Sequence, residues 1–127
     1  LVARYPDKAT HDIERNAALL IVDEVTATAE KRMAELREQR KKLDVEMEFY
    51  KKDPSKAPMS LRRKIGENED GVAELQRFIA GQEQEKRKVH QKFDTELAKL
   101  KVLWEIHKPV VLPAASGAQS GAASTVR

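Results

Sequence analysis

Two prolines stand four residues apart near the centre of the chain, in the stretch FYKKDPSKAPMS (residues 49–60), with no other proline between residues 7 and 108. Each lacks an N–H donor and pushes the residue before it out of helical geometry, so a helix must stop there. On both sides apolar residues recur at steps of three and four, the spacing of a coiled-coil seam. The first seam runs Ala18, Val22, Val25, Ala29, Met33, Leu36, Arg40, Leu43, Met47 and Tyr50. The second runs Leu61, Ile65, Asn68, Val72, Leu75, Ile79, Gln82, Lys86, Val89, Phe93, Leu97, Leu100 and Trp104. Each contains one pair of successive four-residue steps, at Val25–Ala29–Met33 and Val89–Phe93–Leu97, which relaxes the supercoil locally.

Folding the chain at the prolines brings the seams together. Tyr50 then faces Leu61, Met47 faces Ile65, Leu36 faces Leu75, Met33 faces Ile79, Val22 faces Val89 and Ala18 faces Phe93. The residue numbers of each pair total 111 or 112. The expected fold is all-α: an antiparallel two-helix coiled-coil hairpin, each helix roughly 65 Å long at 1.5 Å per residue. A lead-in covers residues 1–8, the helices about 9–52 and 59–107, and the turn 53–58. An Ala/Ser/Gly tail without periodicity, residues 109–127, is expected to be disordered. Asp7 or Thr10 can cap the first helix, and Ser55 or Ser60 the second.

The seam carries polar layers: Arg40 opposite Val72, Leu43 opposite Asn68, Ala29 opposite Gln82 and Val25 opposite Lys86. Polar core residues lower stability but fix register. Arg and Lys can lay their stems along a half-open seam and still reach water. Gly66, Gly71 and Gly81 fall within the second helix, each costing about 1 kcal/mol relative to Ala. The heptad continues through GENEDG (residues 66–71), so helix rather than loop is expected there. That stretch also lacks the spaced ligands of a calcium loop.

Chemistry is sparse. With no cysteine, disulfides, zinc–thiolate sites and thiol catalysis are excluded. The register brings His11 and His107 to the same end, but two histidines without a carboxylate at metal-motif spacing do not make a zinc site. The acids of DIERN and ENED lie on solvated helix faces. Phosphate loops, nucleophile elbows and dinucleotide fingerprints are missing. A two-helix hairpin also lacks the concavity of an active site. Neither an enzyme nor a cofactor is expected. The longest apolar run, AALLIV, has six residues, far short of the ~20 that span a membrane.

Two surfaces remain as candidates. Leu19, Leu20, Ile21, Val102, Leu103 and Ile106 cluster at the open end and cannot all point into a two-helix seam. Apolar surface beyond one stripe calls for a covering layer. Here that means a second copy, another protein, an upstream domain, or the chain's own termini. The other candidate is the turn. Residues 31–64 hold twelve basic against six acidic side chains, although the whole chain carries only +3. Lys51, Lys52, Lys56, Arg62, Arg63 and Lys64 crowd the tip beside Phe49 and Tyr50. Such a tip can meet phosphates or anionic lipid. Its simpler role is to keep the turn soluble while Tyr50 closes the core.

The segments RYPDKATHDIERNAAL, MAELREQRKKLDVEMEFYKK, LRRKIGENED and EKRKVHQKFDTELAKLKVLW resemble the helical C-terminal region of certain proteobacterial secreted proteins of unknown function. Those proteins carry a signal peptide and a short β-rich domain of unknown function ahead of the helices. The resemblance covers about residues 4–104 and implies an exported, periplasmic protein with no assigned activity. It supplies no functional residues to carry over. Neither N-terminal feature lies in these 127 residues, and LVARYP reads like the interior of a longer chain. A cytoplasmic location is the alternative. The expected role is a non-enzymatic coiled-coil spacer or protein-interaction module working through the open end. Anion or nucleic-acid binding at the tip is the first alternative, and a chaperone-like oligomer of hairpins the second.

Overall fold

The computed structural model describes residues 1–107. It contains two long helices, α1 (Lys8–Glu48) and α2 (Met59–Ile106), joined through a single 3-10 turn at Pro54–Lys56. Packing of α1 on α2 makes the antiparallel hairpin that the seams imply. The tail expected at residues 109–127 lies outside the described residues.

At its N-terminus α1 is capped by Asp7, whose carboxylate accepts from the Thr10 backbone N–H at 2.8 Å and from the Thr10 hydroxyl at 2.8 Å. This answers one of the orphan donors of the first turn. The helix ends at Glu48, earlier than the expected Lys52. Here the bonds shorten to i→i+3: Phe49 N–H reaches Glu46 O, Tyr50 N–H reaches Met47 O and Lys51 N–H reaches Glu48 O. That tightening carries Tyr50 over the seam. Tyr50, Met47 and Ile65 then pack around a buried cluster of Leu43, Ala57 and Leu61. The expected closure by Tyr50 and Leu61 is therefore present, with Ala57 as an added element.

Neither serine caps α2. Pro58 occupies the cap position without a side-chain bond, and Ser55 Oγ donates instead to Asp53 Oδ1 at 2.5 Å. The helix runs unbroken through Gly66, Gly71 and Gly81, so GENEDG is helical. At Gly71 the helices come close: a Cβ there would stand 3.1 Å from Leu36 Cδ1.

The register is constant from end to end. Trp104 Nε1 donates to Tyr5 O at 2.8 Å. Arg15 pairs with Asp94 at 2.7 Å, Lys86 with Asp23 at 2.9 Å and Arg40 with Glu69 at 3.0 Å. In the three ion pairs, which join the helices at well-separated levels, the residue numbers total 109. One polar layer differs from expectation. Lys86 turns out of the seam to Asp23, and Val25, expected inside, is 39% exposed. Asn68 is buried, and its amide donates to Leu36 O at 2.7 Å and Gln39 Oε1 at 3.0 Å.

Candidate functional surfaces

At the end away from the turn, the lead-in folds over the helices. Tyr5 N–H donates to Leu1 O at 3.0 Å, a one-turn loop that buries the Tyr5 side chain. The Tyr5 ring meets His11 edge-on, with centroids 4.8 Å apart, and His11 in turn lies 5.1 Å from Phe93. Such edge-to-face contacts add to what burial alone supplies. His11 is wholly buried; its Nε2 lies 3.2 Å from Glu96 Oε1 and its Nδ1 has no partner. The Arg15 guanidinium stands 5.8 Å over the Phe93 ring while bonding Asp94. Leu100, about two turns beyond Phe93 on α2, is fully buried as well.

The plug treats the two histidines differently. His11 is held inside by Tyr5 and Phe93, whereas His107 ends α2 in solvent, so the two form no common site. Among the described residues no cluster of His, Cys, Asp and Glu could hold a metal ion. Nor is any described helix long and apolar enough to cross a membrane.

The six apolar residues expected at this end separate. Leu19 and Leu103 are half-buried, while Leu20, Ile21, Val102 and Ile106 are each more than half exposed. Val102 and Leu103 gather with Leu1, Ala98 and Lys99 around a shallow recess, so the lead-in takes part in that patch. On α1, Ile21 and Val25 share a different flank, while Ile13 and Leu20 lie on the outer face, opposite the seam. Next to Val25 lies an open apolar recess of about 440 Å³, lined by Val25, Thr28, Ala29, Arg32, Leu75 and Phe78. The ion pairs Arg15–Asp94, Asp23–Lys86 and Arg40–Glu69 tie the helices together without using this flank. The signal for it was present in the sequence as a second three–four spacing through Ile21 and Val25. Assigning Val25 to the seam concealed it.

At the opposite end Lys51, Lys52, Lys56, Arg62, Arg63 and Lys64 are all exposed. None of the six joins an ion pair among the described residues. Phe49 is 83% exposed beside them, and Met59 is exposed as well. In comparison with known proteins, no family, curated protein or solved structure matches this chain.

Proposed function

We propose that the chain is a non-enzymatic helical spacer and protein-interaction module that docks through apolar side chains in the half of the rod away from the prolines. The observation that carries this reading is the exposure of Leu20, Ile21, Val102 and Ile106 on a molecule whose own core is only one seam thick. Leaving such side chains in water forgoes roughly 1.5–3 kcal/mol for each one that a partner would fully bury. Light scattering across micromolar concentrations tests it. Self-association weakened by Leu20→Asp or Val102→Asp is the expected result. A strict monomer whose Leu20→Asp and Leu103→Asp variants are as stable as the parent would sink the reading.

A second reading is favoured by the unpaired cations of the tip. Six basic side chains without acidic partners, beside an exposed Phe49, suit a phosphate-bearing surface. Binding to a generic duplex or to anionic vesicles should then fall steeply with salt. If Lys51, Lys52, Arg62 and Arg63 can all become Gln without changing that binding, the tip serves only solubility and the turn.

A further inference from the structure

Ile21 and Val25 form the middle of a second stripe on α1. Glu14, Ala17, Ile21, Val25, Thr28 and Arg32 follow one another at steps of three, four, four, three and four, which keeps them on one helix face. The stripe is open to solvent. Ile21 is 64% exposed, and the side chains of Glu14 and Arg32 are 44% and 60% exposed. Its order is acid, small, branched, branched, small, base. Reversed end for end about the level of Asp23, it complements itself: Glu14 comes opposite Arg32, Ala17 opposite Thr28 and Ile21 opposite Val25. A parallel arrangement would instead set Glu14 against Glu14 and Arg32 against Arg32.

We propose that this stripe of α1 packs antiparallel against the same stripe of a second copy of the chain, about a two-fold axis near Asp23, joining two hairpins into a four-helix assembly. The inference rests on the docking reading above and names its partner. A two-fold interface must be self-complementary, and the reversed charge order meets that condition at both ends of the apolar stretch. The groups needed are free to exchange. Among the described residues Glu14 is held only by Arg4 at 3.2 Å, and Arg32 only by Glu35 at 3.5 Å, both pairs solvent-exposed and weak. In this arrangement the recess beside Val25 lies level with Ala17 of the other copy. Phe78, exposed at the recess edge, then gains a cover.

Because the chain has no cysteine, introduced thiols report alone. Ala17→Cys and Thr28→Cys are prepared separately, checked for helicity by circular dichroism, and oxidised singly and as a mixture. The mixture is expected to yield a cross-linked dimer joining the two variants, and each variant alone very little. Across the proposed axis the two copies of residue 17 stand about 18 Å apart along the helix, and the two copies of residue 28 about 15 Å. Disulfides need Cα atoms within about 7 Å. In parallel, Glu14→Arg and Arg32→Glu should each weaken the dimer about tenfold by light scattering, and the double variant should recover it. A dimer that fails to cross-link in the mixture, that cross-links through Ala17→Cys alone, or that the double charge swap does not restore overturns this geometry and leaves the docking reading standing. A chain that stays monomeric at every concentration overturns the geometry and removes self-association from the reading above as well.

Discussion

Glycine in a helix interior carries an entropic cost, and α2 holds three, in unlike surroundings. At Gly66 and Gly81 an added Cβ would meet nothing within 4 Å, whereas at Gly71 it would approach Leu36 Cδ1 at 3.1 Å. Gly66→Ala and Gly81→Ala should therefore each stabilise the hairpin by about 1 kcal/mol, read as a higher midpoint in urea with an unchanged slope. Gly71→Ala should give back part of that gain, because the Leu36 methyl must move. Equal gains at all three positions would show that the approach of the helices at Gly71 is looser than 3.1 Å implies. Asn68 presents the converse case, a polar group taken into the seam. It satisfies its amide on Leu36 O and Gln39, so truncation loses two bonds and opens a gap. Asn68→Ala should cost about 1–2 kcal/mol in the same unfolding experiment.

At the scale of the element, the two helices start differently. α1 has a side-chain cap at Asp7, and α2 begins at Pro58 with none. The bonds that Asp7 accepts from the Thr10 backbone N–H and then from the Thr10 hydroxyl favour its ionised form and hold its carboxyl below the usual value of 3.8. A group with a depressed folded pKa contributes stability that is complete above the unfolded pKa and is lost as pH falls through the folded one. Acid titration of the parent should therefore show a loss of helix stability below about pH 4 that Asp7→Asn lacks. An identical acid profile in the two proteins would exclude Asp7 as a source of it. The helices, the turn and the all-α hairpin were legible because proline chemistry and three–four spacing are local properties of the chain. The early end of α1 was not, since it depends on i→i+3 bonds at Phe49, Tyr50 and Lys51 that spacing does not reveal. Nor was the missing serine cap, because Ser55 had a competing acceptor two residues away in Asp53.

Taken whole, the molecule is a rod with two unlike ends. The turn end is closed by Leu43, Ala57 and Leu61 and surrounded by unpaired cations. The other end is closed by a segment that sequence pattern treated as a mere lead-in. Residues 1–7 have no heptad to announce them, yet Tyr5 sits on His11 and accepts from Trp104, ninety-nine positions away. Contacts of that range follow only once the hairpin has folded, so spacing places His11 and His107 at one end without revealing that His11 is buried. Of the apolar surplus expected there, Leu19 and Leu103 are half-buried, while Leu20, Ile21, Val102 and Ile106 stay outside. Tyr5→Ala separates the plug from the external surface. It should destabilise the protein by about 3 kcal/mol and shift the emission of the single tryptophan to the red as Trp104 is wetted. Self-association through the α1 flank should persist at concentrations where the variant is still folded, because Ile21 and Val25 lie more than one full turn from His11 along the helix. If Tyr5→Ala abolishes self-association without moving the tryptophan emission, the lead-in belongs to the intermolecular contact instead of closing the end of its own hairpin.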